Sequence, residues 1–155
     1  MPIVVGKQAP DFELANTSND NKIKLSDFKG KKNVVLFFFP LAFSPVCSRE
    51  MPTFEKYYES FANKDTEIFA ISVDSLWTLK AFKGHCGISC YSMLSDFHPK
   101  GETAKKFGVY KEDAGLSERA TIIIDKLGIV RFVHVNEMRQ GRDINQFIEA
   151  LKGLN

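Results

Sequence analysis

Six consecutive apolar residues, Val34-Val35-Leu36-Phe37-Phe38-Phe39, run directly into Pro40. A strand that is apolar on both faces needs cover on both faces, so this run predicts a central strand between two layers. Proline fixes φ and removes a backbone donor, which ends the strand. A second run, Ile68 to Val73, has the same character. Between them, Thr53 to Ala62 carries Phe54, Tyr57, Tyr58 and Phe61 at helical spacing. The segment from Ser75 to Lys83 reads as a helix with Ser75 as its cap.

Shorter signals complete the order. Ile23-Lys24-Leu25 reads as a strand, Ser26 to Gly30 as a turn, and Met93 to Asp96 as a short strand. Thr103 to Phe107 reads as a helix that stops at Gly108. Ala120–Ile124 and Ile129–Val135 are β-rich and are joined at hairpin length through Gly128. Asp143 to Leu151 places Ile144, Phe147, Ile148 and Leu151 on one face of a closing helix. Strand–helix–strand–helix, then a hairpin, then a helix predicts an α/β fold, a mixed central sheet with helices on both faces. Trp77 and Phe37 to Phe39 are expected in the core.

The chain has 155 residues, which suits one domain spanning 1–155 around one core. Hydrophobic residues at 44% and charged residues at 26% fit a soluble globular protein. A net charge of +2, without a dense basic block, argues against nucleic-acid or membrane partners. The start, Met1 to Gln8, is too short and polar for a signal peptide, and no apolar run approaches the ~20 residues of a bilayer span. A cytoplasmic location is the resulting expectation. Three cysteines do not make a complete disulfide framework.

One of those cysteines stands out. After Pro40 come Leu41-Ala42-Phe43-Ser44-Pro45-Val46-Cys47, then Ser48-Arg49-Glu50-Met51-Pro52, which reads as a helix start. A thiol at a strand-to-helix junction lies among unpaired helix N–H groups and the positive end of the helix dipole. That environment favours the thiolate, the nucleophilic form. The ordinary alternative is a buried structural cysteine.

Pro40-x-x-x-Ser44-x-x-Cys47 resembles the active-site signature of the peroxiredoxin family. Ala9-Pro10-Asp11-Phe12, Leu94-Ser95-Asp96 and Arg119-Ala120-Thr121-Ile122-Ile123-Ile124-Asp125 resemble further landmarks of that family, in its order. Phe39 to Phe43 and Ser95 to Gly101 are similar to the one-cysteine, alkyl hydroperoxide reductase E-like branch. The resemblance implies a thioredoxin-like fold and a thiol-dependent peroxidase that needs no metal, haem or flavin. Its substrates would be hydrogen peroxide, alkyl hydroperoxides or peroxynitrite. Its reductant would be an external thiol such as thioredoxin, glutaredoxin or a low-molecular-weight thiol, and its assembly a homodimer.

The same resemblance assigns roles. Cys47 attacks the peroxide, and Ser44, where threonine is commoner, holds a peroxide oxygen. Arg119 stabilises the thiolate and the leaving oxygen. Pro40 shapes and screens the loop, and Glu50 pairs with a neighbouring arginine or stands as a solvated first-turn carboxylate. Phe43 excludes water or meets a partner subunit. Cys86 or Cys90, with Cys86 preferred, is a candidate resolving cysteine. Pro52 occupies the position where another branch carries that residue. His85, Cys86, Cys90 and His98 are mixed N/S donors, but the second cysteine pair of a zinc site is missing, so no metal is expected. His134 is expected to be structural. Two rival readings are a thioredoxin-like disulfide oxidoreductase, against which the missing Cys-x-x-Cys counts, and a non-enzymatic redox sensor or chaperone.

Overall fold

The central strand forms where the apolar run places it. In the computed structural model, which describes residues 1–61 and 65–154, it spans Asn33–Phe38 and all six residues are buried. Two strands precede it, β1 (Glu13–Asn16) and β2 (Lys22–Lys24), with a 3-10 turn at Leu25–Phe28. The central strand is therefore β3. Helix α1 (Pro45–Lys56), a single turn α2 (Tyr58–Phe61), β4 (Thr66–Ser72) and α3 (Leu76–Cys86) follow. Then come β5 (Ser92–Ser95), α4 (Glu102–Lys106) and a small hairpin of β6 (Tyr110–Lys111) and β7 (Leu116–Ser117). The chain closes with β8 (Arg119–Ile124), β9 (Val130–Asn136) and α5 (Ile144–Lys152).

Among the described residues, seven strands form one mixed sheet in the order β2-β1-β5-β4-β3-β8-β9. The pairs β3–β4 and β4–β5 are parallel, and the remaining pairs are antiparallel. Side chains alternate across a strand, so β3 feeds two cores. Val35 and Phe37, with Phe39 just beyond, join Cys47, Met51 and Phe54 of α1, Leu79 and Phe82 of α3, and Phe147 and Leu151 of α5. Val34, Leu36 and Phe38 join Phe12, Leu25, Ala104 and Phe107 on the other face. Phe37 stacks on Phe54 with ring centroids 4.2 Å apart. Each fully buried phenylalanine contributes about 1.5–3 kcal/mol, which is why aromatic residues dominate both layers. The expected mixed sheet with helices on both faces is thus present.

Local chemistry explains the boundaries. Ser75 caps α3 by accepting the Thr78 N–H at 3.2 Å. The helix runs three residues past Lys83 and ends at Gly87, whose φ of 70° closes a Gly87-to-Gly84 and an Ile88-to-Lys83 hydrogen bond. Cys86 is thereby its last residue. Asp96 is buried and its two carboxylate oxygens accept the Thr103 and Ala104 N–H groups, each at 2.9 Å, fixing the start of α4. In the β8–β9 turn, Asp125 accepts from Leu127 and Ile129, and Gly128 takes a φ of 83°.

Four expectations need correction. Trp77 is 77% exposed, with the Lys80 ammonium over its ring. Leu79 and Phe82 hold the buried face of α3, and two residues along a helix is a turn of about 200°. The helix after Cys47 begins at Pro45 and not at Ser48, and it continues through Pro52 to Lys56. Burial of Cys47, Glu50, Met51 and Phe54 on one stripe outweighs the proline penalty of about 3 kcal/mol. The predicted Thr53–Ala62 helix is thus two pieces broken at Tyr57; Ala62 and the side chain of Phe61 lie outside the described residues. The strand expected at Ile23–Leu25 sits one residue earlier, because Leu25 is buried in the 3-10 turn. Among the described residues no helix is long and apolar enough to cross a membrane.

Candidate active site

Cys47 is the third residue of α1 and has no exposed surface. Pro45 opens the helix, where its missing N–H is no loss. Ser44 stands at the cap position, yet its side chain caps nothing. Its hydroxyl donates to the Leu41 carbonyl at 2.8 Å instead. The first-turn N–H groups therefore keep their positive field directed at Cys47. Ser44 was expected to lie against the sulfur; among the described residues its hydrogen-bond partner is Leu41. With its proton committed, the oxygen is left as an acceptor.

Arg119 is brought to this point by β8, which pairs beside β3, with Phe38 opposite Ala120. It is 2% exposed. Its Nη1 donates to the Cys47 sulfur at 3.4 Å and to Glu50 Oε1 at 2.6 Å. Its Nε and Nη2 donate to the Met138 carbonyl at 3.2 and 3.0 Å. Guanidinium forks of this kind hold a fixed direction, unlike a lysine ammonium. Sequence separation alone would have left Arg119 on the surface; the sheet brings it to the sulfur.

Glu50 is the acid that organises the site. It lies one helical turn after Cys47 and is buried. Its Oε2 accepts the Arg142 N–H at 2.8 Å and lies 3.7 Å from Arg142 Nε. Arg142 is a functional neighbour that the sequence reading missed. Its side chain is fully buried, its guanidinium lies 5.2 Å and 5.7 Å from the Phe37 and Phe54 ring centroids, and its Nη2 donates to the Phe38 carbonyl. Burial pulls its pKa down to about 10, opposed by the negative charges of Glu50 and Cys47, so it stays charged at neutral pH. One signal was available. Arg142 directly precedes the Asp143 cap of α5, where a cation opposes the helix dipole.

The buried charges nearly balance. Arg119 and Arg142 supply two positive charges and Glu50 one negative charge. The remaining positive charge faces the Cys47 sulfur through Arg119 Nη1. Buried charges that are paired and hydrogen-bonded avoid most of the desolvation cost of isolated ones.

A cavity of about 450 Å³ reaches this cluster, lined by Pro40, Ser44, Val46, Arg119 and Met138 among others. Pro40, itself buried, closes one side. Phe43 takes a φ of 68° and is 49% exposed, with its ring 5.1 Å from Phe82 and 5.4 Å from His85. A left-handed conformation costs an ordinary residue about 1–2 kcal/mol, so the loop presents this ring at some expense.

All three thiols are free. Cys86 is half-buried against the same apolar cluster as Cys47. Burial, and secondarily the Cys47 charge, pushes its thiol pKa up. Cys90 is exposed, with its N–H held by Glu55 at 3.0 Å. His85 faces Phe43, and His98 lines a different cavity with Trp77 and Phe97. Among the described residues no three His, Cys, Asp or Glu side chains are grouped to hold a metal. His134 lies in β9 opposite Thr121.

The architecture and sequence have clear counterparts. Alkyl hydroperoxide reductase E of Mycobacterium tuberculosis is 37% identical over 150 residues, covering 97% of each chain. The reduced 2-Cys peroxiredoxin of Plasmodium vivax superposes with a TM-score of 0.85 at 34% identity, over 98% of this chain and 83% of that one. Mycobacterium tuberculosis AhpC superposes with a TM-score of 0.85 at 26% identity, over 99% of both. The AhpC/TSA family model matches residues 5–133, and on these matches the chain belongs to the AhpC/TSA family, the peroxiredoxins.

Proposed function

We propose that this chain is a thiol-dependent peroxidase in which Cys47 is the attacking group. The observation that carries the reading is the contact of Arg119 Nη1 with both the Cys47 sulfur and Glu50. The thiolate forms a bond to one peroxide oxygen as the O–O bond breaks. The other oxygen leaves as hydroxide or alkoxide and takes up a proton to become water or alcohol. Sulfur loses two electrons and becomes a sulfenic acid. Arg119 stabilises the charge that moves from sulfur to the departing oxygen. Ser44 accepts the peroxide O–H, and Pro40 limits water at the sulfur.

The substrate is hydrogen peroxide or an organic hydroperoxide. An external thiol returns two electrons through a mixed disulfide, in the manner of thioredoxin, glutaredoxin or a small thiol. Mass spectrometry after one equivalent of hydrogen peroxide, on wild type and on single Cys→Ser variants, tests the cycle. A sulfenic acid trapped on Cys47 alone is the expected result. A Cys47–Cys86 or Cys47–Cys90 disulfide would replace the external thiol with an internal one.

A homodimer also fits. Leu41, Phe43, Trp77 and Phe97 are exposed by 41%, 49%, 77% and 55%. The loop bearing the first two is tied to the start of α3 by the Ala42 N–H on Asp74 at 2.8 Å. Large exposed apolar groups gathered on one side mark an interface. Sedimentation equilibrium is expected to give a dimer that Trp77→Ala weakens; a concentration-independent monomer would remove this assembly.

A further inference from the structure

The cavity lined by Arg119 carries more positive charge than the reaction at sulfur uses. The chain has five arginines. Arg119 and Arg142 share Glu50, and Arg131 pairs with Asp125 at 2.6 Å. The other two, Arg49 and Arg139, have no carboxylate partner among the described residues, and both line this one cavity. No acidic side chain lines it with them.

Both arginines are held there by the elements that build the site. On α1 the stripe of Cys47, Glu50, Met51 and Phe54 is buried, which turns Arg49 outward beside Pro45 and Val46, its neighbours one turn back. Arg139 follows Met138, whose carbonyl takes two hydrogen bonds from Arg119. Both side chains are exposed. Apolar wall is supplied by Pro45, Val46 and Met138. One wall therefore combines Arg119, which touches the sulfur, with apolar side chains and an exposed rim of two arginines.

We infer that Arg49 and Arg139 form an anion subsite that selects organic hydroperoxides bearing a carboxylate away from the –OOH group. This inference rests on the peroxidase reading and adds to it the substrate class. The hydroperoxide end goes to Cys47, the carbon skeleton lies on the apolar wall, and the carboxylate meets guanidinium forks suited to two-point contact. Hydrogen peroxide is too small to reach sulfur and rim together. The chemical step is unchanged: the alkoxide leaves with two electrons from sulfur, takes a proton, and departs as a hydroxy acid.

The test compares the tertiary hydroperoxide of isocaproic acid with its methyl ester, under single-turnover conditions at low salt. The acid-to-ester rate ratio within each protein is the readout, so a general loss of activity cancels. Wild type is expected to favour the acid, with a preference that fades as salt rises. Arg49→Gln/Arg139→Gln is expected to lower the ratio about fivefold, and the double lysine variant to restore part of it. Lys29→Gln is the control for net charge, because Lys29 lines a cavity with Val34 and Ile124 at the opposite end of β3 and β8. A ratio unchanged in the glutamine variant, or lowered equally by Lys29→Gln, overturns the subsite. Failure of wild type to consume either hydroperoxide, or consumption that survives Cys47→Ser, overturns the peroxidase reading and the subsite with it.

Discussion

Cys47→Ser is expected to lower peroxide turnover by at least about a thousandfold, since a serine hydroxyl in this position is a weak nucleophile and cannot give two electrons to a peroxide. The substitution is nearly isosteric. Arg119 keeps Glu50 and the Met138 carbonyl as partners, so the fold should survive, and circular dichroism checks that. Cys86→Ser and Cys90→Ser are expected to turn over like wild type with an external thiol. Peroxide consumption coupled to reductant oxidation gives the rates. An undiminished rate in Cys47→Ser would move the chemistry to another residue.

The second large effect is on stability. Glu50→Ala removes the carboxylate that faces two buried guanidiniums, one at 2.6 Å and the other at 3.7 Å. Removing one partner of a buried charge pair typically costs about 3–5 kcal/mol, because the remaining charge is left uncompensated. Here two remain, and they repel each other. The thermal midpoint is expected to fall by roughly 10 °C for a chain of this length. Glu50→Gln keeps an acceptor for the Arg142 N–H and should fall less. Scanning calorimetry distinguishes these outcomes, and a midpoint within about 2 °C of wild type would show that the arginines are satisfied elsewhere. Peroxide turnover should fall as well, since Arg119 loses the contact that steadies its Nη1 beside the sulfur.

The sequence made the middle of the molecule legible because its signals are strong. An uninterrupted apolar run has few alternatives to a covered strand, and Ser75, Gly108 and Gly128 act at the turns they occupy. It was less informative at the periphery. Glu13–Asn16 and the β6–β7 hairpin are too short and mixed in polarity to show a period of two. Trp77 illustrates a different failure: hydrophobicity of a residue does not choose its side of a helix, and Leu79 and Phe82 did so. The continuous α1 was hidden by Pro52, whose local preference is overridden by the buried stripe around it.

At the site, Cys47 could be found by its position after a strand, whereas Arg119 needed the family pattern because spatial contact across the sheet leaves no local trace. Arg142 was missed for the same reason. Its partners Glu50, Phe37, Phe38 and Phe54 come from β3 and α1, remote in the chain from the loop that carries it. The dual role of Glu50 was invisible until both arginines were in place.

The alternation of side chains along β3 has a consequence for how such a chain can vary in length. Losing one residue between Val34 and Pro40 would exchange the occupants of the two layers and aim the approach to Cys47 at the wrong one. Insertions at the polar turn near Asn19 or at the Leu127 corner touch neither layer. Length change is therefore confined to the rim, and the interval from strand to sulfur behaves as a fixed ruler.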